Sequence, residues 1–299
     1  MKRLNILLAT IVLFIILLPA GCRTGTSLVS RAFPGNNWPR KKVMLMPAAD
    51  LTGVPLDESA DNISEGLGKI LRKTGFFNLY HQNKTEGFRP FEPGEPIDPE
   101  LVREAKEIGM NAIVFETLNP IEINQVKTGM WPFRRKARRF TVSMNVDILD
   151  VNRGTIILSK EVADTTTFSD EEARGEEEKS TSTETKKMAL KACLPDLLKK
   201  AATVATHSLN GQAWTGLIVS ADNKGIIINA GRDVGLRQGI VFEVFGEGDP
   251  ITSFKGQTYR LPGPKVGEIR VVGIKSRHSS AEPIDGTDFK PGQIIRIKQ

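Results

Sequence analysis

Phe140-Thr141-Val142-Ser143-Met144-Asn145-Val146-Asp147-Ile148, continued by Leu149-Asp150-Val151-Asn152-Arg153-Gly154, is the stretch whose reading decides the fold. From Phe140 to Ile148 the even positions are apolar and the odd ones polar, the period of a strand with one face on a core and the other toward water. Asn152-Arg153-Gly154 supplies a turn. Thr155-Ile156-Ile157-Leu158-Ser159-Lys160-Glu161-Val162 then returns antiparallel, so the pair reads as a hairpin.

Upstream, Val43-Met44-Leu45-Met46-Pro47 is a short strand that runs into Asp50-Leu51-Thr52-Gly53. Asp57, Glu58 or Ser59 opens a helix whose apolar stripe is Ile63, Leu67, Ile70 and Leu71, ending near Gly75. Phe76 to Tyr80 is the next strand, giving a β-α-β start, and a polar loop with prolines covers Arg89 to Pro96. Asp98-Pro99-Glu100 opens a second helix, because Asp98 caps free N–H groups and Pro99 already has helical φ. That helix turns Leu101, Val102, Ala105 and Ile108 inward and stops at Gly109, before a third strand from Asn111 to Glu116. Downstream of the hairpin, Asp170 to Lys179 is an acidic loop, and Thr183 to Leu209 a long helix that Pro195 is expected to kink or restart. Residues 42–209 therefore read as an α/β (α+β), sandwich-like domain with a mixed sheet and packed helices.

Residues 211–299 carry no helical signal. Gly216-Leu217-Ile218-Val219, Gly225 to Asn229, Ile240 to Phe245, Val266 to Val272 and Gln293 to Ile297 are short strands between glycine turns, the pattern of a small all-β barrel.

The N-terminus has the layout of an export signal. Lys2 and Arg3 precede an apolar run from Leu4 to Leu18, and small residues stand before Cys22. The run is shorter than the ~20 residues a spanning helix needs. Leu18-Pro19-Ala20-Gly21-Cys22 resembles the lipobox of bacterial lipoproteins, with Pro19 where an aliphatic or small residue is usual. The resemblance implies a signal peptide over 1–21, lipidation of Cys22 and a linker over 22–41. Arg23 in place of the retaining aspartate implies an outer-membrane anchor facing the periplasm. Removal of Lys2 and Arg3 lowers the net charge from +6 to +4, too small an excess to suggest nucleic acid. With Cys22 acylated, Cys193 has no disulfide partner and reads as a small buried apolar residue.

Three places carry a wider resemblance: Val43 to Pro47 with Asp50 to Gly53; Met144 through the Asp150–Gly154 turn to Ile156; and Ala189-Leu190-Lys191-Ala192-Cys193-Leu194. With these, residues 42–209 resemble the periplasmic domain shared by the curli secretion lipoprotein CsgG, the TolB N-terminal domain, the cell-wall synthase activator LpoB and the flagellar assembly protein FlgT. Ile228-Asn229-Ala230-Gly231-Arg232-Asp233-Val234-Gly235, Gln238 to Val244, Gly267-Glu268-Ile269, Ser279-Ser280-Ala281 and Lys290 to Gln293 are similar to the SH3-like C-terminal domain of the FlgT family. The order of the two domains implies a FlgT-like protein. A CsgG-like secretion component and an LpoB-like activator are the alternatives.

Catalytic and metal motifs are absent: the sequence has no HExxH, GxSxG, GxxxxGK[ST] or paired CxxC, and His81, His207 and His278 are far apart. No catalytic residue, metal or cofactor is expected. The candidate interaction surface lies in the connection Lys127 to Arg139, where Trp131 and Phe133 stand beside Arg134, Arg135, Lys136, Arg138 and Arg139. That mix suits an acidic partner or the headgroups of a membrane. The expected role is a non-enzymatic, outer-membrane-anchored periplasmic scaffold or assembly factor, docked on an envelope complex such as the flagellar basal body. Homo-oligomer formation is left open.

Overall fold

The strand expected from Phe140 is longer in the computed structural model. It starts at Arg135, runs to Asp150 as the sixth strand, β6, and is the axis of a seven-stranded mixed sheet. The structure describes residues 39–54, 61–82, 97–169, 178–222, 225–252 and 258–298. The expected export signal, Cys22, most of the linker, the helix opening at Asp57 to Ser59, the Arg89–Pro96 loop and most of the acidic loop lie outside them.

Ahead of β6 come β1 (Lys41–Leu45), β2 (Ala49–Asp50), α1 (Asp61–Lys73), β3 (Phe77–His81), α2 (Pro99–Glu107), β4 (Ala112–Leu118) and β5 (Glu122–Thr128). After it come β7 (Thr155–Ser169) and α3 (Glu178–Asn210). β1 lies between β3 and β4 and is parallel to both. β4 and β5 pair end to end along one edge of β6, β4 with Met144–Asp150 and β5 with Arg135–Thr141. β7 pairs along the other edge, and all three are antiparallel to β6.

The sheet is covered on both faces. Val43 and Leu45 of β1, Val114 of β4 and the even residues Phe140 to Ile148 of β6 pack on α1 and α3, through Ile63, Leu67, Leu71, Leu190, Cys193 and Leu197. Met44, Met46, Ile113, Phe115 and Leu149 pack on the opposite face with Ala105 of α2. Burial on both faces explains why Val43 to Met46 is a continuous apolar run, whereas β6 alternates from Phe140 to Ile148, where only its even residues enter the helix-covered core.

Local chemistry sets the ends. Asp98 Oδ1 accepts from the Glu100 N–H at 2.9 Å, and Pro99 occupies the first turn of α2, as the sequence implies. Asp150 Oδ1 accepts from the N–H groups of Asn152 and Arg153 at 2.9 and 3.0 Å, and Gly154 turns the chain at φ +65°. The aspartate-to-glycine pattern is thus the turn joining β6 to β7. α3 continues through Pro195 without restarting. The ring removes the donor for the Lys191 carbonyl at a point where both residues are exposed.

β8 (Thr215–Asp222), β9 (Gly225–Ile228), β10 (Val241–Thr252), β11 (Thr258–Ile274), β12 (Ser279–Asp285) and β13 (Ile294–Ile297) close a barrel in the order β10-β11-β12-β9-β8-β13. Ile228, Phe242, Val244, Ile269, Val271 and Ile295 fill it, with Trp214 tilted on Phe242 at 5.6 Å between ring centroids. Within the barrel, β12 is the strand that the sequence reading does not name as one. It turns only Ser279 and Ala281 inward, and its place depends on pairing to β11 and β9.

Residues 39–299 form one compact unit, and polar contacts join sheet to barrel. Lys42 Nζ meets Asp233 Oδ2 at 2.9 Å and donates to Asn229 O at 3.1 Å. Asn111 Nδ2 donates to Thr215 O, and Asn152 Nδ2 to Thr215 Oγ1 at 2.7 Å. Lys41 Nζ donates to Leu209 O and Gln212 O at the end of α3, both at 2.7 Å. Burial brings the Lys41 ammonium down to about 8, against the opposing pull of Asp150.

Candidate interaction surface

The connection Lys127 to Arg139 is not one loop. Lys127 and Thr128 end β5, residues 129–134 form the tip, and Arg135, Lys136, Ala137, Arg138 and Arg139 are the first five residues of β6. The ladder from Glu122↔Thr141 to Thr128↔Arg135 holds β5 to β6 as an arm. β7 backs it as far as Ala137↔Ser169, and Phe140 meets Phe168 edge to face at 5.5 Å. At the tip, Phe133 N–H donates to Met130 O at 2.7 Å. Gly129 has φ +95°, and a Cβ there would stand 3.0 Å from Phe133 O, so the tip requires glycine at this point. The Trp131–Pro132 peptide is cis.

Apolar side chains at this tip find no cover among the described residues. Met130, Trp131 and Phe133 are 85%, 82% and 82% exposed. Arg134, Arg135, Lys136 and Arg139 are exposed behind them, while Arg138 is half-buried. Because side chains alternate along β6, Lys136 and Arg138 share the face of Phe140, and Arg135 and Arg139 take the other. No Asp or Glu occurs between Glu122 and Asp147. The arm can therefore offer an apolar tip with positive charge behind it on both strand faces.

The structure brings together Trp131, Phe133 and the five cations named from the sequence, and it adds Met130. Met130 is not among the residues the sequence singles out, because a lone methionine carries no signal until its exposure is seen. Cys22 lies outside the described residues. Cys193 is buried, and burial pushes its thiol up. His81 pairs with Arg72 at 2.7 Å, and burial lowers its pKa. Among the described residues, no group of three or more His, Cys, Asp or Glu side chains is placed to hold a metal ion, and no helix is long and apolar enough to cross a membrane.

No protein-family model matches the sequence, and no curated protein sequence matches it. Among solved structures the chain is similar to the hypothetical protein CT253 from Chlamydia trachomatis, at 14% identity and TM-score 0.34, over 55% of this chain and 96% of that one. It is also similar to the PelC dodecamer from Paraburkholderia phytofirmans, at 15% identity and TM-score 0.30, over 56% and 91%. A third is the LpoB C-terminal domain from Salmonella enterica, at 17% identity and TM-score 0.27, over 46% and 92%. Likenesses this loose carry no functional argument.

Proposed function

We propose that this chain is a non-enzymatic lipoprotein of the bacterial envelope, tethered by an acylated Cys22, whose folded body serves as a scaffold and whose β5–β6 arm is its contact surface. The exposed Met130, Trp131 and Phe133 at the end of a braced ribbon carry this reading. Large apolar side chains held clear of any core are uncommon on a monomer and mark a surface that meets a partner. The layered half (residues 42–209) and the barrel (residues 211–299) act as two domains in one body. The arm is not a membrane-spanning strand, because its outer end has cations on both faces and a spanning strand needs one apolar face.

The resemblance to the FlgT family makes the flagellar basal body the leading machine, and the C-terminal barrel favours it over an LpoB-like activator. Two measurements test the proposal. In cells carrying Cys22→Ala, fractionation should move the protein from the outer-membrane fraction to the soluble periplasm. Electron microscopy of cells lacking the protein should show missing or shed filaments. Retention of the variant in the membrane would overturn the tether, and normal filaments would overturn the flagellar assignment.

A further inference from the structure

We infer that the tip of the β5–β6 arm docks on an anionic phospholipid surface, with Met130, Trp131 and Phe133 in the interfacial layer and Arg134, Arg135 and Lys136 at the headgroups. The inference rests on the reading of the arm as the contact surface and names what it contacts. Three observations select a bilayer over an acidic protein.

The first is the order along the arm. The apolar groups are outermost and the cations lie directly behind them, which matches the depth order of an interface, acyl boundary first and phosphates next. Tryptophan, present here at the tip, is the side chain most at home at that level. The second is the distribution around the arm. A protein groove reads one face of a strand, whereas these cations project from both faces and the loop, as suits a surface that surrounds the tip. Charges on both faces also discourage pairing at the exposed edge of β5, but that need does not explain three bare apolar side chains beyond them. The third is charge purity within the β5–β6 hairpin itself, which has no Asp or Glu from 123 to 146.

Reach is sufficient. Arg135 lies nine residues before Met144, where β4 begins to pair with β6. At ~3.3 Å per residue the arm, backed by β7 as far as Ala137, extends about 30 Å beyond the end of β4, which carries its tip clear of the helix-covered part of the sheet.

Residues 23–299 contain the whole compact unit and carry no acyl chain, so they isolate the arm. The test is co-sedimentation with vesicles of phosphatidylglycerol and phosphatidylcholine in equal parts, against pure phosphatidylcholine. Binding to the anionic vesicles is expected, weakening as salt is raised. Each cation held near the surface is worth roughly fivefold in affinity, so Arg134→Glu with Arg135→Glu should lose at least tenfold. Trp131→Ser with Phe133→Ser should lose at least tenfold with its melting temperature unchanged, since both side chains are exposed, and should remove the blue shift in tryptophan emission. No binding to anionic vesicles, or binding that survives the Trp131 and Phe133 changes, overturns the inference. In either case, cross-links from position 131 to an envelope protein in cells would keep the arm as a contact surface with a protein partner; their absence too would remove the arm reading itself.

Discussion

Glu116 is buried where β4 meets α1, and it has no adequate donor. Ser64 Oγ stands 3.5 Å from Glu116 Oε2 but gives its proton to Met46 O at 2.7 Å, and Glu116 Oε1 has no hydrogen-bond partner. Burial therefore pushes the carboxyl up to about 8, so it is protonated in the folded chain at neutral pH and ionised when unfolded. The folded state binds the extra proton between about 4.5 and 8, so this group stabilises the protein fully below that window and the gain is lost as pH rises through it. Thermal melts should fall from pH 5 to pH 8, by a few kcal/mol in stability at about 1.4 kcal/mol per pKa unit. Glu116→Gln should flatten that slope, and an equal slope in the variant would assign it to other groups. Lys41 has the opposite sign: its lowered pKa favours the folded state as pH rises from about 8 toward the unfolded value.

At the scale of elements, Phe140 ties the arm to the body, since it is fully buried and braces Phe168. Phe140→Ala should cost about 3–5 kcal/mol in urea denaturation, and a cost below 1 kcal/mol would mean the ribbon is not held this way. Asp98→Ala should cost about 0.5–2 kcal/mol through loss of the α2 cap. The elements also differ in how readable they are. β6 is legible from Phe140 to Ile148 because one face is buried and imprints its period on the sequence, and the start of β7 follows from the turn at Asn152 to Gly154, although only Val162 of β7 is buried. β5 is not, because nearly every side chain from Glu122 to Thr128 is exposed and no apolar period exists to be read. Its strand form comes from the free edge of β6. The same cause hid the start of β6, where a run of Arg and Lys reads as a connection although Ala137 and Phe140 are buried. Trp131 and Phe133 stood out by residue type, whereas Met130 needed its exposure.

For the whole molecule, polar contacts of Lys42, Asn111 and Asn152 join sheet to barrel. Lys42→Ala leaves Asp233 in a largely buried place without its cation, a loss of about 3–5 kcal/mol for pairs of this kind. The expected outcome is that one cooperative melting transition becomes two, with the barrel and the layered half separating; a single transition in Lys42→Ala would show that the junction is held by other contacts. A rigid junction matters to function because it fixes the direction of the arm relative to the rest of the scaffold.

The most direct test of the central claim is in-cell photo-cross-linking of the full chain, with a photoreactive side chain at position 131 and, as a control, at the exposed Val219 of the barrel. The account predicts adducts from position 131 that stay with the membrane fraction, and none from position 219. No adduct from 131, or the same adducts from both positions, would contradict the assignment of the arm as the surface through which this protein meets its surroundings.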